Sequence, residues 1–351
     1  MKQTDNIQYL DTLRATATIA VILIHISSPV LGMAFRVDMN SWITGNIFDS
    51  SVRFAVPLFL MLSGATLLHR DYPPGEFYKK RLMRVLLPFL FWILVYWVYY
   101  WLMLPPVKQP HGFGNITHWA VNLFLNDGVS KHFWYVYMIL FLYLFTPFIG
   151  KTVRKMNRKT LSFTLLIWVA ICISTYSLNL SFYKWTGDYQ YKLLGYIEYS
   201  GYLVSGYYLS KYDLFRNKQR LIAGIVYLLS IVVCAWVVYS LSYGQRFQNL
   251  RIYSYFSIVS IVQSVAVFLL FKNAEIRNKS LLFIQKRISN YSYGIYLVHI
   301  IVIGVLFRNG IYWSFANPVV SLPVLLILVL TISMSIIYGL RKIPGFRYIT
   351  G

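Results

Sequence analysis

The chain reads as an all-α membrane protein with about ten transmembrane helices and both termini in the cytoplasm, on three observations. Of its 351 residues 58% are hydrophobic and 13% charged, with a mean hydropathy of +0.55; a soluble domain is about 25% charged. The apolar residues fall in long runs, and a bilayer core of about 30 Å takes about 20 helical residues. The cations also sort by side. Alternating the loops from the N-terminus puts 23 of the 33 Lys and Arg on the N-terminal side and 9 on the other, with Arg14 inside a helix. Cytoplasmic loops carry such an excess. In a soluble chain a net charge of +22 would suggest nucleic acid; here the loops account for it, and no nucleic-acid partner is expected. Disordered, fibrous and ordinary soluble classes are excluded.

The spans run 10–31, 52–68, 82–103, 132–150, 161–180, 192–210, 221–243, 253–271, 289–307 and 317–340. The first holds Asp11 and Arg14 and lacks a small-residue cleavage site, so it reads as a mature helix and not a signal peptide. The second, the shortest, starts at Arg53 on the outside and ends at Ser63-Gly64, where small residues let helices approach. Arg81 and Arg84 open the third on the cytoplasmic side as a two-pronged anion site. It closes on Tyr96-Trp97-Val98-Tyr99-Tyr100-Trp101, an interfacial belt. The fourth opens outside at Lys131-His132-Phe133-Trp134-Tyr135, by itself an interfacial anchor. Cys172 and Cys234 lie in the fifth and seventh, so neither a disulfide framework nor a thiolate metal site is read. The sixth carries Glu198, and the ninth Ser292, Tyr296 and His299 on one face. The gaps 32–51 and 104–131 face outward. Without a repeat, low-complexity tract, soluble segment or phosphate-binding glycine loop, residues 1–351 read as one transmembrane domain. His111 and His118 have no carboxylate cluster beside them, so no metal is expected.

Ionisable groups within spans are costly and mark sites. Arg14 and His25 stand eleven residues apart on one helix face, about 16 Å along the axis. Asp11 can pair with Arg14 one turn away. His25 lies about 22 Å from the cytoplasmic boundary. Counting inward from Lys192 sets Glu198 at the same level, where a carboxylate would fix the tautomer of His25 and raise its basicity.

Together these positions resemble the acyltransferase-3 family of integral membrane acyltransferases, and most nearly its WecH-type members, which O-acetylate bacterial surface glycans. The resemblance rests on Leu10-Asp11-Thr12-Leu13-Arg14 with His25 after ten residues, Arg53 through Val56-Pro57-Leu58-Phe59 to Ser63-Gly64, Arg81 with Arg84, His132-Phe133-Trp134, and Ser292-Tyr293-Gly294-Ile295-Tyr296-Leu297-Val298-His299. It implies a ten-helix fold in the bacterial inner membrane, acetyl-CoA as cytoplasmic donor, and a surface glycan or lipid-linked sugar as acceptor on the other side. By it His25 is catalytic, and Arg14, Arg81 and Arg84, with Ser63, surround the donor. Arg53, His132, Trp134, Tyr296 and His299 face the acceptor. Phe133 stands where the family often has leucine. Glu198 enters on depth alone. The oligomeric state, a homo-oligomer included, stays open. A transporter or flippase of a lipid-linked glycan, with the same groups as a proton relay, is the rival. No inverted repeat, strongly broken helix pair or paired short spans in the sequence favour it.

Overall fold

Pro57 shapes the second apolar stretch. A proline inside a helix lacks the N–H donor, and its ring crowds the carbonyl four residues back, here that of Arg53. In the computed structural model, which describes residues 3–32, 38–127, 129–177, 195–214, 218–245, 248–272, 274 and 276–351, helical hydrogen bonding is interrupted over residues 51–54. Helix α1 is Gln3–Gly32, α2 is Met39–Ser50 and α3 is Ala55–Leu67. The break is buried, so its freed backbone groups need partners. Gln263 supplies two: its Oε1 accepts from the Phe54 N–H at 3.1 Å, and its Nε2 donates to the Ser50 carbonyl at 3.0 Å. The Tyr227 hydroxyl donates to the Ser51 carbonyl at 3.0 Å. The outward gap 32–51 is thus largely helical: α2 packs on α1, and Trp42, Asn46 and Asp49 are buried.

A short α4, Pro74–Phe77, leads through a π turn at Tyr78–Leu82 into α5, Met83–Met103. In the second gap lies α6, Phe113–Asp127. It exposes Phe113, Ile116, Val121 and Phe124, the apolar side of an interfacial helix. Helices α7, Trp134–Lys155, and α8, Arg158–Ser177, follow, and then α9, Ser200–Lys211, entered by a 3-10 turn at Tyr196–Tyr199. The chain continues with α10, Gln219–Ser242, α11, Ile258–Phe271, α12, Lys279–Arg308, and α13, Pro318–Leu340. Side-chain caps start several of these: Ser257 accepts from the Ser260 N–H at 3.2 Å, and Asn278 from the Leu281 N–H at 3.1 Å.

Among the described residues nine helical stretches are long and apolar enough to cross a membrane. They correspond to nine of the ten expected spans. The exception is the sixth, 192–210, whose described part is the 3-10 turn and the 12-residue α9; residues 192–194 lie outside the described residues. At 1.5 Å per residue α9 covers about 18 Å, short of a bilayer core of about 30 Å. It is held instead by close packing on α3. A Cβ on Gly206 would stand 1.8 Å from the Met61 carbonyl oxygen, and one on Gly64 the same distance from that of Leu203. Only hydrogen fits at either point, so the two backbones touch.

Helices α1, α3, α11 and α12 form the interior, whereas α8 and α10 turn Phe163, Leu166, Leu228, Val232 and Trp236 outward, as a lipid-facing surface requires. Where α1 meets α12, Arg14 pairs with Asp11 at 3.1 Å, as their spacing leads one to expect, and donates to the Ser289 hydroxyl at 3.0 Å. That hydroxyl donates to Asp11 at 2.6 Å.

Candidate active site

One cavity of about 260 Å³ gathers side chains that are remote in sequence. Arg14 comes from α1, Ser63 from α3, Arg81 from the π turn, Arg84 from α5, Tyr135 and Tyr143 from α7, and Ser292, Tyr293 and Tyr296 from α12. The charges of Arg14, Arg81 and Arg84 all bear on Tyr143. Arg81 donates to the Tyr72 hydroxyl at 3.5 Å. Partial burial works against ionisation of Tyr72, but the bonds and charges of Arg81 and Arg70 hold its phenol below the usual range. A cavity with three guanidiniums and an aromatic wall suits an anion carried on a slender organic arm.

His25 is not among the residues lining this cavity. Tyr296 stands between: it lines the cavity, and its hydroxyl donates to the backbone carbonyl of His132. Behind it His25, His132 and His299 form a triangle, with ring centres 5.1 Å apart for His25 and His299, 5.3 Å for His132 and His299, and 6.4 Å for His25 and His132. His25 comes from α1, His299 from α12, and His132 from a 3-10 turn, Lys131–Phe133, that leads into α7.

The three rings are held differently. His132 is buried, with Nδ1 2.9 Å from the Ser130 hydroxyl and Nε2 3.5 Å from that of Tyr96. Tyr100 donates to Ser130 at 3.1 Å, and Tyr96 donates to the Leu297 carbonyl at 3.0 Å. His299 is fully buried; its Nδ1 lies 2.6 Å from the Tyr296 carbonyl, and its Nε2 has no hydrogen-bond partner among the described residues. His25 is half-buried and, among the described residues, makes ring contacts with His132 and His299.

Arg53 is buried against Asp49, donating to its carboxylate and, at 2.9 Å, to its backbone carbonyl. The Tyr253 ring lies 4.4 Å from the guanidinium carbon. The charge of Arg53 bears on His25. Ser27, on α1 two residues after His25, donates to the Asp49 carboxylate at 3.3 Å. Trp134 stacks on Tyr255 at 5.9 Å and packs against Tyr199 at 5.8 Å.

The pairing of Glu198 with His25 is not formed. The backbone carbonyl of Glu198 accepts from the Trp168 indole at 2.7 Å, and its charge bears on Cys172 and Tyr199. Equal depth does not make two groups neighbours: α9 packs on α3, α8 and α11, and these set where Glu198 stands. The buried carboxylate near His25 is Asp49, which sequence reasoning left in an outward gap. Its signal was its position four residues before Arg53, the helical ion-pair spacing. Tyr96 carries no such signal, because only the tertiary fold brings it to His132, whereas Ser130 reaches that ring from two residues away.

Fold and site together define a multi-pass helical membrane protein whose cationic cavity abuts a buried imidazole cluster. The acyltransferase-3 family, described as an acyltransferase domain, matches residues 7–338, and the chain belongs to it. It is a membrane acyltransferase. No curated protein and no solved structure matches it.

Proposed function

We propose that this acyltransferase moves an acetyl group from cytoplasmic acetyl-CoA to a hydroxyl of a bacterial surface glycan, O-antigen, common antigen, capsule or exopolysaccharide, at the outer face of the inner membrane. The supporting observation is the cavity itself: Arg14, Arg81 and Arg84 share it with Tyr296, which touches the histidine cluster on its far side. Arg81 and Arg84 bind the donor's phosphates near the end richer in cations, with Ser63 beside the arm. Arg14, braced by Asp11 and Ser289, holds the arm's course inward. The thioester passes Tyr135 and Tyr296 to reach His25. The acceptor enters from the opposite end, where Arg53, His132, Trp134 and Tyr296 orient it.

His25 then acts as general base. The acceptor oxygen adds to the acetyl carbonyl as its proton passes to a ring nitrogen of His25. The intermediate collapses with cleavage of the C–S bond, and the departing thiolate takes that proton. The products are the sugar ester and free CoA. An acetyl-His25 intermediate gives the same products in two steps. The membrane interior limits water at the site and favours sugar over hydrolysis.

The test is CoA release by the purified full chain, with acetyl-CoA as donor and the native host's surface polysaccharide, freed of O-acetyl groups by mild alkali, as acceptor. Acceptor-dependent release supports the reading, and His25→Ala then lowers the rate by about two to four orders of magnitude. A transporter of lipid-linked glycan releases no CoA, and that result would overturn the proposal.

A further inference from the structure

We infer that His299 is a positioning residue that accepts the N–H of His25, so that a pair of imidazoles replaces the carboxylate–histidine pair used by many acyl-transfer sites. The inference rests on the acyl-transfer reading given above. It starts from an anomaly, the His299 Nε2 that has no hydrogen-bond partner among the described residues although its side chain is fully buried. Buried polar atoms are nearly always bonded, and an exception asks for an explanation.

The bond that His299 does make fixes its tautomer. A carbonyl oxygen only accepts, so the Nδ1 lying 2.6 Å from the Tyr296 carbonyl carries the proton. Nε2 of the neutral ring is therefore a lone pair, able to accept and unable to donate. Of the three rings, His132 has a hydroxyl beside each nitrogen. Its Nε2 neighbour Tyr96 is itself directed to the Leu297 carbonyl. The rings with unspent nitrogens are His25 and His299, and their centres are the closest pair of the triangle at 5.1 Å. Hydrogen bonds between catalytic groups are often long without substrate and tighten in the complex.

Among the described residues no carboxylate is hydrogen-bonded to His25. Asp49 is committed to Arg53, and Glu198 is directed elsewhere. A cation bears on His25 instead. A carboxylate partner would stabilise the imidazolium strongly and hold on to the proton. A neutral imidazole acceptor orients the ring, sets which nitrogen faces the acceptor hydroxyl, and leaves the proton free to return to the thiolate. In the balanced step, the hydroxyl proton moves to the free nitrogen of His25. Its opposite N–H, bonded to His299 Nε2, spreads the positive charge over two rings. Collapse of the intermediate sends one proton to sulfur and restores both neutral tautomers.

His299→Phe keeps a flat ring and removes the acceptor, whereas His299→Gln keeps an acceptor oxygen at similar reach. With the donor and polysaccharide described above, His299→Phe should lower kcat by about 100-fold, within the range of an acid–base contribution, with KM for acetyl-CoA changed less than about twofold. His299→Gln should recover all but about tenfold of the wild-type kcat. Full activity in the Phe variant overturns the pairing. Equal loss in Phe and Gln also overturns it, since a shape requirement alone would give that. A rise in glycan KM at constant kcat overturns it in favour of a direct acceptor contact. If the Phe variant fails to reach wild-type levels in the membrane, His299→Met provides the comparison with Gln. A wild type that releases no CoA sinks the acyl-transfer reading, whereas an active wild type with an unaffected Phe variant sinks the imidazole pair alone.

Discussion

Arg81 and Arg84 illustrate what a single side chain contributes. The first belongs to a π turn, a geometry that recurs at functional sites, and both line the cavity. Arg81→Ala combined with Arg84→Ala should raise KM for acetyl-CoA by about tenfold per arginine, the low end for charge-assisted bonds of about 1.5–3 kcal/mol. The glycan KM should stay put in the same titration. An effect on the glycan alone would move these arginines out of the donor site. Glu198 gives the opposite expectation. Its side chain is not directed at His25, so Glu198→Gln should keep kcat within about twofold of wild type, the effect of a group outside the acid–base pair. A kcat loss of two orders would restore it to the catalytic machinery. Part of the site was legible at this scale. Arg14, Ser63, Arg81, Arg84 and Tyr296 were singled out from sequence and share one cavity. Tyr135 and Tyr143 were not, because thirty tyrosines in an apolar chain hide the few that face a cavity.

At the scale of the helix, the contact of α3 with α9 is the point of least tolerance. Gly206 meets the Met61 carbonyl, and its neighbour Gly201 lies against the Trp168 indole. A side chain at 206 cannot be accommodated by a rotamer change, since the obstacle is backbone. Gly206→Val should destabilise the bundle by about 1–3 kcal/mol or more, the range for overpacking. The measurement is the Tm of detergent-purified protein, read beside the yield of membrane-inserted chain. An unchanged Tm would show that α9 is free to move away from α3. Helix existence was readable from apolar run length for nine stretches. The break at residues 51–54 was not: Pro57 announces it only together with Gln263 and Tyr227, whose bonds make it affordable inside the bundle.

For the whole molecule the testable property is topology. The 23 to 9 division of cations across the loops predicts both termini in the cytoplasm. Reporter fusions near residues 155 and 280 should read cytoplasmic, and those near 115 and 187 periplasmic. Opposite readings at two or more of these would discard the arrangement of ten spans. The sixth span is the weak link: α9 is short, and a chain with only nine crossings would place its two ends on opposite sides.

Composition and run length were enough to establish a helical membrane protein, because the bilayer imposes the same demand on every span: an apolar exterior and internally bonded backbone. The ionisable residues within those spans could likewise be picked out one by one, since each is costly in lipid. Their pairing was another matter. Depth follows from counting along one helix, but adjacency depends on which helices pack and on how each is turned about its axis. Hence Asp11 with Arg14, one turn apart on a single helix, was readable, and Glu198 with His25 was misjudged. The triangle of His25, His132 and His299 and the bond from Tyr296 to His132 were decided by tertiary packing. Only a packed bundle brings residues more than a hundred positions apart within reach of one another.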